Sequence, residues 1–336
     1  MGLFNFELFC LVVFVSGIHA QGSLPQFNVD PDLVSVSGIS SGAYFATQFH
    51  VAYSMSVQGC GLWAGGPDLC YARDGLLCMT TPSVVVVSIL TLDAETLGSL
   101  GRIDDTSHLQ NDRVYIFHGT EDETVQVSSA SKVEQFYNHF LANPESQLKL
   151  KNDLPASHAV VSDHAGTPCG VTDKFYIQNC DFDSVYAMLN HLIGDLSPPT
   201  APGTMQGRLV EFDQNEFFEG NAKGASMDET GFVYIPPACE DGSVQCNFHI
   251  FFHGCSMQFE EIGTEFIRRA GFIEVADANN LVILFPQTIA RTLTGNPYGC
   301  WNWFGYLNDL LYEEYATKNA KQMKGVYQML TKVTGL

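Results

Sequence analysis

Gly38-Ile39-Ser40-Ser41-Gly42 stands between a short apolar run, Leu33, Val34 and Val36, and a helix-like stretch carrying Tyr44, Phe45, Gln48, Phe49 and Val51 to Tyr53. A serine in a G-x-S-x-G frame, with a strand before it and a helix behind it, builds a nucleophile elbow. The serine then sits at the apex of a strained turn with its hydroxyl exposed. The flanking glycines remove β-carbons that would collide where strand and helix nearly touch. A Ser/Gly-rich loop is the plain alternative, since so short a pattern recurs by chance. The apolar residues on both sides favour the elbow.

Across 336 residues, 37 acidic against 16 basic side chains give a formal charge of −21, and no basic cluster relieves it. Such a surface repels nucleic acid and anionic membranes, so neither is an expected partner, and an uncharged substrate suits it better than an anionic one. Hydrophobic residues at 46%, with 24 Phe and 13 Tyr, can fill a large core and argue against disorder. Leu8 to Val15, followed by Ser16-Gly17-Ile18-His19-Ala20, reads as a signal peptide over residues 1–20 and predicts a secreted protein. It lacks Lys and Arg before the apolar run. An uncleaved anchor is the alternative, although the run is short for a span.

Cysteine usage agrees with export. Cys70 with Cys78, Cys169 with Cys180, and Cys239 with Cys246 are spaced as local staples, and Cys255 with Cys300 would join two distant loops. Cys60 is left over within Gly59-Cys60-Gly61-Leu62-Trp63-Ala64, a strand-like stretch that predicts an inert buried thiol. No C-x-x-C pair meets a matched second pair, so a zinc site is not expected, and no cofactor is.

Strand-like and helical segments alternate, which predicts an α/β architecture with a mostly parallel central sheet and helices on both faces. Expected strands are Gly61 to Ala64, Arg113 to His118, Leu209 to Phe212, Thr230 to Ile235, Phe248 to Phe252 and Leu281 to Phe285. Expected helices are Ser128 to Leu141, Asp183 to Leu192, Phe259 to Ala278 and most of Asn308 to Leu330. Ser83 to Leu90 is compatible with a helix or a loop. Ser197-Pro198-Pro199-Thr200-Ala201-Pro202-Gly203 is the strongest linker signal in the chain.

An α/β-hydrolase chain normally makes a strand pair, then a strand ending in an His-Gly loop, and only later the elbow, the acid and the histidine. Here the elbow comes first, and the strand pair with His253-Gly254 follows the proline-rich stretch. That order predicts a circularly permuted α/β-hydrolase: one domain over residues 21–336, with the permutation joint near 195–206. Two independent domains joined at Ser197 is the alternative.

A serine hydroxyl needs a base, and the base needs an acid to orient it. Gly119-Thr120-Glu121-Asp122-Glu123 follows a predicted strand, and Asp122 is the expected acid, with Glu121 and Glu123 as solvated neighbours. The base must come later in the chain. Spacing leaves both His158 and His164 open, and His253 is expected to hold loop backbone. Two fixed N–H donors must meet the oxyanion. Ser41, at the start of the helix, supplies one, and Cys255 in the His253-Gly254-Cys255 loop supplies the other. Tyr298, Trp301, Trp303 and Phe304 beside Cys300 predict an apolar substrate wall, or else plain core.

G-I-S-S-G-A-Y-F-A-T-Q-F, V-A-Y-S, A-G-G-P, H-G-T-E-D-E-T-V, A-S-H-A-V-V-S-D, H-G-C and N-P-Y-G-C-W-N-W-F occur in that order from about Val34 to Tyr306. This series resembles the extracellular poly(3-hydroxybutyrate) depolymerases of the single-domain, circularly permuted type. The resemblance implies Ser40 as nucleophile, Asp122 as acid and His158, rather than His164, as base. It also implies aromatic subsites at Trp301 or Trp303, and a monomeric secreted esterase cutting a short-chain hydroxyacid polyester to monomers and short oligomers. Ala43 stands where a glycine is expected, and neither a Thr-rich linker nor a separate polymer-binding domain is evident. Feruloyl- or acetylxylan-type esterases with the same triad, and a non-catalytic binding protein on the same fold, are the competing expectations.

Overall fold

The computed structural model describes residues 22–307, 309 and 311–336; the expected signal peptide lies outside them. The described chain enters its main sheet in the middle. β1 (Val29–Ile39), β2 (Gly59–Trp63), β3 (Arg113–Phe117) and β4 (Leu148–Lys151) run outward in one direction, each parallel to the last. β5 (Val160–Ser162), β6 (Thr167–Pro168) and β7 (Ile177–Asn179) form a small separate sheet. The second half fills the other side with β8 (Arg208–Asp213), β9 (Thr230–Ile235), β10 (Cys246–Phe252) and β11 (Leu281–Phe285), in the overall order β4-β3-β2-β1-β10-β11-β9-β8. β8 and β9 are the antiparallel pair at one edge, and β10 lies parallel to β1.

This is an α/β-hydrolase-like sheet threaded from its centre. The stretch at 195–206 carries the chain from one outer region to the opposite edge, and both halves share one sheet. Neither half could bury β1 alone, because β1 has β2 on one side and β10 on the other.

Alternation along the strands sorts side chains into two cores. On one face Val34, Val36, Leu62, Val114 and Phe248 pack with the helices Ser41–Ala52, Ser128–Phe140 and Lys321–Thr334. On the other, Trp63, Phe117, Phe251 and Ile283 pack with the helix Ser184–Ile193 and with residues 262–276. Sandwiched strands of this kind read as near-continuous apolar runs, which is why they stood out in the sequence. Ser35 and Ser37, on the second face, are satisfied by the two ring nitrogens of His249 at 2.8 and 2.7 Å.

Two helical expectations need correction. Phe259 to Ala278 is three short helices, Phe259–Ile262, Glu265–Arg269 and Phe272–Ala278. Gly263 and Gly271, at φ 61° and 100°, break it, because a left-handed residue cannot continue a right-handed helix. The expected helix to Leu330 is a 3-10 turn, Leu311–Ala316, followed by the helix Lys321–Thr334; Asn308 and Leu310 are outside the described residues. Residues 83–90 lead into a helix, Val87–Ser99. Among the described residues no helix is long and apolar enough to cross a membrane.

Candidate active site

β1 delivers Ser40 at its carboxyl end, where sheets of this class keep their ligand crevice. Ser40 has φ 55° and ψ −123°, a conformation that L-residues avoid, and its N–H donates to Trp63 O at 2.9 Å. Such strain persists only where the surroundings enforce it. A β-carbon on Gly42 would lie 2.1 Å from Phe252 O, and one on Gly38 would lie 2.3 Å from Gly42 O. The bare backbone of the pentapeptide is therefore what lets the helix approach β10.

Three loops converge on this apex. The loop after β3 carries Asp122, whose side chain is fully buried. Its Oδ1 accepts the N–H groups of Thr124 and Val125 at 2.9 Å each. Its Oδ2 lies 2.7 Å from Nδ1 of His158, which sits in the loop between β4 and β5. Burial alone would raise the Asp122 carboxyl; the hydrogen bond and charge of His158, with the Val125 N–H and His118, outweigh it and hold the group below its usual value. A second histidine, His118, stands behind the acid. Its Nε2–H donates to Val125 O at 2.8 Å and lies 3.6 Å from Asp122 Oδ2, so it braces the turn that presents the carboxylate. The histidine is visible in H-G-T-E-D, but nothing in that stretch marks it as the brace of the acid.

Of the other candidates, Glu121 and Glu123 are exposed. His164 pairs with Asp163 at 2.7 Å and lies 4.0 Å from Glu274, away from Asp122.

The loop after β10 contributes His253-Gly254-Cys255. His253 is buried, and burial pushes its imidazole down to about 4. As a neutral ring it donates through Nδ1 to Gly254 O at 2.8 Å and accepts the Thr288 N–H through Nε2 at 3.2 Å. Disulfides join Cys70–Cys78, Cys169–Cys180, Cys239–Cys246 and Cys255–Cys300, and Cys60 is a buried free thiol. The last disulfide is one of three ties that hold the aromatic segment to the His253 loop, one of them made indirectly through Thr288, whose N–H His253 accepts. Ser256 N–H donates to Tyr298 O at 2.7 Å, and Thr288 Oγ1 donates to Gly299 O at 2.6 Å.

Ser40, Ser41, His158, Cys255, Tyr298, Trp303 and Phe304 line one crevice of about 420 Å³, with Tyr44, Leu76, Met79, Thr124, Val125 and Tyr176 among its other walls. Ser41 opens the helix, so its N–H has no acceptor within that helix. Trp303 stacks on Tyr44, with ring centroids 4.3 Å apart. Trp301 is different. It is fully buried, stacked on Phe45 at 4.6 Å and edge-on to Phe252 at 5.0 Å. It belongs to the core beneath the crevice and not to its wall, because the chain turns tightly between the two tryptophans, with the Trp303 N–H donating to Trp301 O at 2.9 Å. Leu76 and Tyr176 lie inside the Cys70–Cys78 and Cys169–Cys180 staples, with Met79 just past the first, and only the fold brings them here.

The sheet, the elbow and the acid–histidine pair define the chain as an α/β-hydrolase. No protein-family model matches it. Among curated proteins it is 35% identical over 327 residues to the poly(3-hydroxybutyrate) depolymerase of Delftia acidovorans, covering 95% of this chain and 63% of that protein. It is 31% identical over 328 residues to the polyhydroxybutyrate depolymerase of Talaromyces funiculosus, covering 91% of this chain and 89% of that protein. Two solved structures of a PHB depolymerase, one from Penicillium funiculosum and one in complex with an R3HB trimer, superpose with a TM-score of 0.84 at 28% identity, covering 93% of this chain and 99% of theirs. The chain belongs to the polyhydroxybutyrate depolymerase family.

Proposed function

We propose that this protein is a secreted serine esterase that hydrolyses poly(3-hydroxybutyrate) or a closely similar short-chain polyester. The observation that carries the proposal is the Asp122–His158 pair at 2.7 Å, with His158 sharing an apolar, aromatic crevice with the strained Ser40. The relatives' names point the same way. Ser40 Oγ attacks the ester carbonyl as His158 Nε2 takes its proton. The oxyanion accepts from the N–H groups of Ser41 and Cys255, and Asp122 stabilises the imidazolium. His158 then returns the proton to the departing alkoxide, leaving an acyl-Ser40. Water, deprotonated by His158, attacks the acyl carbon and frees a hydroxyacid and Ser40.

The crevice mouth supports a polymer over a sugar ester. Leu76 and Tyr298, on its rim, are 62% and 63% exposed, and Leu77, Val84, Val86, Ile89 and Leu92 continue the apolar exposure along one stretch of chain. A polar substrate would leave that surface uncovered. Export is supported by the four disulfides, which persist in oxidising compartments, and the protein acts as a monomer.

Release of soluble 3-hydroxybutyrate from a polymer film tests the proposal, with Ser40→Ala and a soluble nitrophenyl ester as controls. Wild type clears the film and Ser40→Ala does not. Activity on the soluble ester alone would move the substrate to a feruloyl- or acetylxylan-type ester, and silence on both would leave only a binding role.

A further inference from the structure

His158 is held by more than Asp122. The chain from Cys169 to Cys180, closed by a disulfide, folds back as β7 and lays Tyr176 and Gln178 against the histidine loop. Tyr176 has φ 55°, a left-handed backbone that suits Gly, Asn or Asp and that an aromatic residue occupies only under compulsion. Its ring meets the His158 ring edge-on, with centroids 6.3 Å apart and planes at 88°. Its carbonyl accepts the N–H of Val160, two residues beyond His158, at 2.9 Å. On the other side of the histidine, Gln178 is fully buried. Its Oε1 accepts the N–H groups of Ser157 and Gly170 at 3.1 and 2.9 Å, and its Nε2–H donates to Ser157 Oγ.

The backbone on both sides of His158, at Ser157 and at Val160, is thus pinned to this loop, and the ring itself rests on Tyr176. Tyr176 also lines both the Ser40 crevice and a second cavity of about 710 Å³ around Glu121, Asp122 and Glu123. It stands, with Thr124 and His158, in the partition between the two. Removing it would open the imidazole edge to water and free its second torsion.

We propose that Tyr176 is the positioning residue for the His158 ring, with the disulfide-closed loop as its mount and Gln178 fixing the adjoining backbone. This rests on the assignment of His158 as the base. A ring that swings by about 1 Å loses its aim at Ser40, which is worth up to about a hundredfold in rate.

Tyr176→Asn tests it, because asparagine accepts the left-handed backbone while removing the ring. Steady-state kinetics on a soluble nitrophenyl butyrate should show kcat at least tenfold lower with KM within about threefold, at a melting temperature above the assay temperature. Tyr176→Phe, which keeps the edge contact, should recover most of the lost kcat. Raised KM with unchanged kcat would make Tyr176 a mere wall and overturn the proposal, as would Phe behaving like Asn. Should the Asn variant melt too low, Tyr176→Gly is read by the same criteria. His158→Ala run alongside separates the two levels. If it is inactive while Tyr176→Asn is unimpaired, only the positioning role falls; if it is active, the assignment of the base falls.

Discussion

Replacing Asp122 by asparagine changes one atom at the most constrained point of the site. Oδ1 can keep the Thr124 and Val125 N–H groups at 2.9 Å, so the side chain stays where it is. The amide NH2 is then forced toward His158 Nδ1, where the carboxylate oxygen had been at 2.7 Å. Two donors cannot face each other, so the ring must carry its proton on Nε2, the atom that should accept from Ser40. The imidazolium formed during attack also loses its counter-charge. Two unit charges about 4 Å apart attract by about 4 kcal/mol at an effective dielectric of about 20. A hydrogen bond to a charged group is worth about 1.5–3 kcal/mol, partly the same energy. A combined loss of about 5–6 kcal/mol corresponds to about 10⁴-fold in rate. The assay is hydrolysis of a soluble nitrophenyl butyrate at pH 8, with kcat and KM separated and the melting curve recorded. The expected result is a kcat drop of about 10⁴ with KM little changed. A loss below tenfold would refute the reasoning and move the acid to Glu121 or Glu123.

Three further outcomes follow from the same structure. Stability should fall as pH drops from about 6.5 to about 4, because burial lowers His249 from 6.5 to about 3 and His253 to about 4 while the unfolded chain still binds those protons near 6.5. Each group contributes a slope of about 1.4 kcal/mol per pH unit, so His249→Gln should flatten the melting-temperature profile in that window; an unchanged slope would exonerate His249. Trp301→Ala should destabilise by about 3–5 kcal/mol in urea titration, whereas Tyr298→Ala, on the exposed rim, should raise KM or weaken film binding with the melting point held; the reverse pattern would contradict the placement of Trp301. Cys300→Ser should cost about 4 kcal/mol by loop entropy alone for a separation of 45 residues, and should lower kcat as the Cys255 loop loosens; full activity after its loss would argue that the other two ties suffice.

How much of this was legible depends on the range of the physics involved. The elbow could be read because its glycines and its apolar flanks are contiguous, and the buried strands because parallel strands covered on both faces are apolar throughout. Chain order alone exposed the permutation. The segment 259–278 misled because its apolar spacing is helical, while the breaks come from the positive φ of Gly263 and Gly271, a local backbone property that an apolar periodicity does not weigh. Trp301 and Trp303 are two residues apart, a spacing that strict alternation would put on one side, and the turn that separates the core ring from the wall ring leaves no mark in N-P-Y-G-C-W-N-W-F. Tyr176 carries no local mark beyond the Cys169–Cys180 staple that encloses it: its role comes from that disulfide and from a histidine eighteen residues earlier. His118 was legible as a neighbour of the acid, but not as its brace.

The central position of β1 has a consequence for the order in which the protein becomes able to react. Ser40, Asp122 and His158 all leave the ribosome before residue 160, but the strand that flanks β1 on its other side ends at Phe252, and the Cys255 loop and aromatic wall follow that. On the proposed assignment, a growing chain therefore holds the complete proton-transfer trio long before it holds a pocket. β1 waits with one edge unpaired for more than half of synthesis, exposed to wrong pairing. The enzyme is assembled last at its chemical centre, so any agent that delays the second half keeps the first half inert as well as unfinished.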